Sequence, residues 1–345
     1  MPNIDRSEQF VRNHKRSESE WIGRDEQLCC SVVIPVFNRT DQLRSLLQRL
    51  TTQSTPTSQF EVIVCDDGST ESLKNVFAEF QSSIPHLRYL RQENRGPAAA
   101  RNTGIVHAVS DIVVFLDSDV EPDRHLIREL THSLIAHPEW QGAVASLRSV
   151  NGEDTPRWEV PRTASCGHYH TAGIAYRTDV LRCVGGLDEG FVSASCEDVD
   201  LAVRVLEQGK IEMVPKAIVY HPLGGRTAAS CWKARKNWRF VRIVACRYGF
   251  LAWRNQQTRF PRLRTAVAAS LLQPLNGLWM AMRLINRTPH ESIHGLFLSV
   301  VDWIGGMSMV PSILFETTPC RLSSVGKRDS NRTQSTAAWT NDQAA

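Results

Sequence analysis

A chain of 345 residues has room for one large α/β domain and an appendage, and 42% hydrophobic with 22% charged residues is the composition of a packed core rather than of a disordered chain. The net charge of +4 is small and gathers late, at Lys233, Arg235, Lys236, Arg239 and Arg242 and again at Arg254, Arg259, Arg262 and Arg264, which argues for a phosphate-bearing or anionic membrane partner and against nucleic acid. Nine cysteines without a CxxC pair, several inside apolar runs, read as reduced core thiols of a cytosolic protein.

Residues 1–27 are polar and lack an apolar stretch, so they predict a disordered tail with no secretory signal and an active domain that faces the cytoplasm. Short β-branched runs then predict strands at Cys30–Phe37, Phe60–Cys65, Leu87–Arg91 and Ile112–Leu116. Between them helical spacing appears at Asp41–Leu50, Glu71–Phe80 and the alanine-rich Pro97–Val109. Such alternation implies a parallel sheet covered on both faces, with ligands beyond the carboxyl ends of its strands.

Further on come a helix near Arg124–Ala136, strands near Ala143–Leu147 and Ile174–Arg177, a short helix Thr178–Val184, a turn at Gly185–Gly186, a helix Glu197–Gln208, and two short strands, Ile211–Val214 and Ala217–Tyr220. From Trp232 the pattern is helical, rich in Trp and Arg. Thr265–Met282 and Ile293–Phe315 are apolar, but Gln273, Asn276, His294 and Asp302 make them poor spans and better candidates for helices lying in a membrane interface. The expected organisation is a tail (1–27), an α/β domain (28–225), a helical, membrane-associated region (226–321) and a second disordered tail (322–345).

The chemistry gathers at strand ends. Asp117 and Asp119 flank Ser118 after a buried strand, and two carboxylates two residues apart point the same way and can hold a hard divalent cation whose other ligands come from substrate phosphates. Asp66-Asp67-Gly68-Ser69 closes the second strand, where an Asp can accept a base imide or ribose hydroxyl, and Pro35-Val36-Phe37-Asn38 closes the first. Arg95 to Asn102 open a helix whose free N–H groups and arginines suit a diphosphate. Glu197-Asp198-Val199-Asp200 starts a later helix, where one carboxylate can act as general base and Asp200 can complement the helix dipole. His221 follows a strand and suits either a metal or an internal hydrogen bond.

In this order SVVIPVFNR, VIVCDDGST, ENRGPAAARNTG, VVFLDSD and GGLDEGF…CEDVDLAVR span about Cys30 to His221, and with them the chain resembles glycosyltransferase family 2. The resemblance implies a GT-A fold: a nucleotide-binding, Rossmann-like α/β domain with a mostly parallel sheet, followed here by a helical appendage. It implies that Pro35, Asn38, Asp66 and Asp67 line the nucleoside pocket, and that Arg101, Asn102, Asp117 and Ser118 lie along the donor. Asp119 would bind the metal, Mn2+ or Mg2+, with His221 as a further ligand, and Asp198 would be the base. Thr171-Ala172-Gly173 departs from the family pattern, in which many relatives carry Asn, and no polyglycan synthase signature follows the base.

The function expected is inverting transfer of a sugar from a nucleotide-sugar donor, UDP-linked in preference, to a glycan or lipid-linked acceptor in envelope or other glycan biosynthesis. His168, Tyr169 and His170 stand before the acceptor-side strand, with contact to acceptor and simple packing both open. Expected partners are the donor, the acceptor and, through the C-terminal helices, the inner face of a membrane. The rival reading is a catalytically idle domain that binds a nucleotide sugar or scaffolds a membrane complex. A nucleotidyltransferase is disfavoured because Pro35-Val36-Phe37-Asn38 stands where a glycine-rich triphosphate loop would be needed.

Overall fold

The computed structural model describes residues 28–150, 158–159, 169–191, 196–222 and 224–225. Both predicted tails, the helical region and His168 lie outside them. In chain order the elements are β1 (Cys30–Val36), α1 (Thr40–Leu50), β2 (Phe60–Asp66), α2 (Lys74–Phe80), β3 (Leu87–Arg91), α3 (Pro97–His107), β4 (Ile112–Phe115), β5 (Glu121–Pro122), α4 (Leu126–Ala136), β6 (Trp140–Ser149), β7 (Trp158–Glu159), β8 (Ile174–Arg177), α5 (Thr178–Cys183), α6 (Glu197–Leu206), β9 (Lys210–His221) and β10 (Gly224–Gly225).

One compact unit carries a sheet in the order β3-β2-β1-β4-β8-β6-β9-β5. The four strands read from the alternating pattern pair in parallel, β1 with β2 and β4 and β2 with β3. Beyond β4 the sheet continues with antiparallel pairs, β4 with β8, β8 with β6 and β9 with β5. Alternation along the strands explains the two-sided burial. Val32, Ile34, Val62 and Val64 join one core cluster, with the leucines of α1, Val76 of α2 and Leu126, Ile127, Leu130 and Leu134 of α4. Val33, Ile63, Val113 and Phe115 join the other, with Ala98, Ala100 and Ile105 of α3 and Leu201, Ala202 and Val205 of α6. Each of the four fully buried leucines of α1 contributes about 1.5–3 kcal/mol by leaving water, enough to hold the helix to the sheet.

Two local features set the site. Helix α3 is mostly Ala and Gly on its inner side, and a Cβ at Gly104 would stand 2.3 Å from Val33, so this helix lies hard against β1. Because α3 and α6 share one face of the sheet, residues about a hundred positions apart can meet at its edge. Gly173 is packed in the same way: a Cβ there would lie 2.8 Å from Val219, a packing reason for the glycine where the family pattern departs.

One expectation is corrected. Lys210–His221 is a single strand rather than two: Pro215, which broke the pattern, is exposed on β9, and among the described residues β5 pairs with that strand only at Val219 and Tyr220. The short β5 itself gave no sequence signal. A second compact unit, Ser149–Gly167 with His221–Ser324, contributes among the described residues the antiparallel pair of β7 and β10. No helix among the described residues is long and apolar enough to cross a membrane, and the two candidate interfacial segments fall outside them.

Candidate active site

The loops after β1 and β2 are built as one piece. Asn38 takes a left-handed backbone (φ 53°), which asparagine tolerates, and its N–H donates to Ser69 Oγ at 3.0 Å while its Oδ1 accepts the Thr70 N–H at 2.8 Å. Asp66, fully buried, accepts Ser69 N at 2.8 Å, the Tyr89 hydroxyl at 2.5 Å and Arg91 at 3.1 Å. Burial and the Asp66 carboxylate push the Tyr89 phenol up to about 12, so it remains a donor throughout the physiological range.

Asp67 points its carboxylate at the chain that enters α3. Its Oδ1 accepts Gln92 Nε2 at 2.7 Å and Arg95 N at 2.9 Å, and its Oδ2 accepts Gly96 N at 2.8 Å. Gly96 (φ 94°) then turns the backbone into Pro97, the first residue of the helix. Asp66 and Asp67, expected at the nucleoside pocket, here hold together the loop after β2 and the chain that enters α3. Pro35 is half-buried one residue before the end of β1, and Phe37, just past it, is 45% exposed.

Asp117 and Asp119 follow β4 with side chains 29% and 21% exposed, and Ser118 is buried between them. Two partly open carboxylates on one turn form a hard-oxygen donor set that fits Mn2+ or Mg2+. Among the described residues no group of three or more His, Cys, Asp or Glu that could hold a metal ion is present.

Each aspartate faces an arginine. Arg39, from the connection between β1 and α1, pairs with Asp119. Arg101, 3% exposed on α3, reaches Asp117 at 2.6 Å and Glu197 at 3.1 Å. Burial works against the Arg101 charge, but the two carboxylates outweigh it and hold the guanidinium firmly protonated. Expected near the donor, Arg101 here links the β4 turn to α6.

Helix α6 starts from Cys196 in a left-handed conformation (φ 68°), with Glu197, Asp198 and Asp200 in its first turn. Asp200 is committed to Arg204 at 2.8 Å, and Arg204 in turn binds the carbonyls of Val184 and Gly186, so this pair secures the Gly185–Gly186 turn. Asp198 is 5% exposed and accepts the Val199 N–H at 2.8 Å. Burial, then the negative charges of Glu197 and Asp117, raise its carboxyl well above the ordinary range, with Val199 N–H and Arg101 opposing. A group raised in this way gives up its proton only at higher pH. The acid limb of a kcat/KM profile should therefore rise through an apparent pKa above that of an ordinary aspartate, and a limb at the ordinary position would remove Asp198 as its source.

Asn102 holds the loop between α5 and α6. Its Oδ1 accepts Leu187 N at 2.8 Å, and its Nδ2 donates to Leu187 O at 2.9 Å and Glu189 Oε1 at 3.0 Å. Read from sequence as a donor contact, it positions this loop. His221 ends β9 and belongs to the second unit; its Nδ1 lies 2.8 Å from Pro222 O, which sets the ring proton on that nitrogen. Tyr169 packs against the α3 and α6 core cluster. Three residues that carry this geometry had no assigned role: Arg39, Gln92 and Glu197. Glu197 was legible as one half of an acidic pair at a helix start, which calls for a cation; its partner 96 residues away was not.

The family model for glycosyl transferase family 2 matches residues 31–186. The pre-mycofactocin glycosyltransferase of Mycobacterium tuberculosis is 35% identical over 242 residues, 65% of this chain and 47% of that protein, so the chain spans about half the length of this relative. Glycosyltransferase AglE of Haloferax volcanii is 39% identical over 93 residues, 27% of this chain and 31% of that one. Among solved structures, a mannosyltransferase from Pyrobaculum calidifontis in complex with GDP-Man and Mn2+ superposes with a TM-score of 0.55 at 18% identity, covering 91% of this chain and 94% of that one. TarS from S. aureus in complex with UDP-GlcNAc gives 0.51 at 17% identity, covering 82% and 90%. These likenesses show the GT-A fold, and the segment from Ser31 to Gly186 is the part of the chain that matches glycosyl transferase family 2.

Proposed function

We propose that this chain is an inverting glycosyltransferase that moves a sugar from a nucleoside-diphosphate donor to an acceptor hydroxyl. The observation that carries the reading is the single guanidinium of Arg101, which ties Asp117 of the β4 turn to Glu197 beside Asp198, so a donor-side carboxylate and a raised-pKa base share one sheet edge. Uridine is the favoured nucleoside. The UDP-GlcNAc bound by TarS supports that preference, and the GDP-Man of the Pyrobaculum enzyme keeps guanosine as the competing choice.

In this reading the ends of β1 and β2 receive the nucleoside, with Pro35 and Asn38 at the pocket and Asp66 and Asp67 fixing its walls. Asp119 and Asp117 hold the cation. When bound, Mn2+ or Mg2+ supplies charge that offsets the negative charge growing on the leaving diphosphate. Asp198 takes the proton from the acceptor hydroxyl; the acceptor oxygen bonds to the anomeric carbon from the side opposite the diphosphate, which leaves with the electron pair of the broken C–O bond. Arg101 acts on both partners by holding Asp117 and the first turn of α6 in register, a positioning role rather than contact with substrate.

Asp119→Ala should abolish the manganese-dependent part of donor binding. Calorimetric titration of UDP, GDP and dTDP sugars with and without Mn2+ checks this; equal affinities in the two conditions would remove Asp119 from the role. Donor hydrolysis by the purified chain, blocked by EDTA, separates transfer from an idle binding domain, which would bind donor and release nothing.

A further inference from the structure

The two arginines that face the aspartate pair are not equivalent. Arg101 is 3% exposed, fixed on a helix and shared with Glu197, so removing it from Asp117 would strand buried charge. Arg39 is 46% exposed, lies on the short connection between β1 and α1, and meets a carboxylate that is itself 21% exposed. An open ion pair of that kind contributes little and exchanges readily. The backbone beneath it does not move with it, because Asn38 is tied to Ser69 and Thr70. The structure therefore supplies one fixed guanidinium and one that can leave.

Resting on the glycosyl-transfer reading, we propose that Arg39 is a resident stand-in cation: it neutralises Asp119 while the site is empty, yields that carboxylate to the divalent cation that accompanies the donor, and then turns to the donor's diphosphate. The need for such a group follows from the charges present. Asp117, Asp119, Glu197 and Asp198 all belong to this sheet edge, where Arg101 pairs with Asp117 and Glu197 and Arg39 pairs with Asp119. A divalent cation at Asp119 repels the guanidinium it replaces, and the anion brought in with it is the donor's diphosphate. Like charge below and opposite charge ahead send Arg39 one way. Arginine suits the second post because its planar fork matches phosphate oxygens in pairs.

The exchange predicts two effects of opposite sign. In Arg39→Gln the competitor for Asp119 is gone, so Mn2+ titrated without nucleotide should bind up to about fivefold tighter, the scale of an exposed ion pair. In the same variant UDP titrated at saturating Mn2+ should bind about tenfold weaker or worse, the scale of a lost charged hydrogen bond. Arg39→Lys, which keeps the charge without the fork, should fall between parent and Gln on both axes. A melting temperature within a degree or two of the parent is expected for so exposed a residue and certifies the comparison. Unchanged or weaker Mn2+ binding in Arg39→Gln would overturn the proposal, since Arg39 would then merely brace Asp119; so would undiminished UDP affinity. The manganese arm needs no nucleotide. Failure of the parent chain to bind UDP, GDP or dTDP with Mn2+ present would instead overturn the donor reading beneath it.

Discussion

Asp198→Asn should lower turnover by about 10²–10⁴-fold with donor affinity kept, the usual range for loss of a general base. The exchange conserves shape, and the asparagine oxygen can still accept the Val199 N–H that now binds Oδ1. A second result should accompany the first. Burial and neighbouring negative charge raise the Asp198 carboxyl, so its ionised form opposes folding. The sign follows from linkage: a carboxyl with a raised folded pKa gives its full contribution to stability below its unfolded value, and that contribution is lost as pH rises through the folded value. The neutral amide escapes this loss. Asp198→Asn should therefore melt higher than the parent at neutral pH, with the difference closing as pH falls. Undiminished turnover, or a variant less stable than the parent at pH 7 and equal to it in acid, would dismiss Asp198 as a strained base.

Arg101→Met is expected to do the opposite to stability. Removing one partner from a buried ion pair costs about 3–5 kcal/mol, and here Glu197 would lose its bond to Arg101 and Asp117 would be released. Urea denaturation should show that fall as an earlier midpoint with an unchanged slope. The loss should shrink in acid: Arg101 opposes the rise of the Asp198 carboxyl, so without the guanidinium that carboxyl stands higher still in the folded state and its ionisation costs more stability as pH rises. Turnover should fall as well, since the β4 turn and the first turn of α6 lose their common tie. Arg101→Lys should recover little, because one ammonium cannot serve two carboxylates in different directions. A midpoint equal to that of the parent would show that the buried pair does not hold these elements together.

Most of the first unit could be read from residues alone. The leucines of α1 and the β-branched runs of β1, β2 and β4 fixed element type because their periods, near 3.6 and 2, come from burial on a sheet covered twice. Asp117, Asp119 and Asp198 were legible by position, immediately after a strand or at a helix start. The partnerships were not. Asp67 with the backbone at Arg95 and Gly96, Asn102 with Leu187, and Arg101 with Glu197 join residues 28, 85 and 96 positions apart, and nothing in local spacing encodes which acceptor a donor will meet. Beyond β4 the strands β6 and β8 were read from their apolar runs, but β5 is two residues long and offers no pattern, and Pro215 divided the pattern of β9 in two.

The grip of Asn102 on Leu187 is a main-chain handshake: amide against N–H and C=O, indifferent to what Leu187 carries beyond its Cα. Substitution at Asp188 removes the bond its Oδ1 accepts from Gly190 N but leaves this main-chain grip in place, while a change at Asn102 would release the segment at Leu187 itself. On the glycosyl-transfer reading, the carboxamide is the bolt to leave in place and the segment above it is the part to exchange.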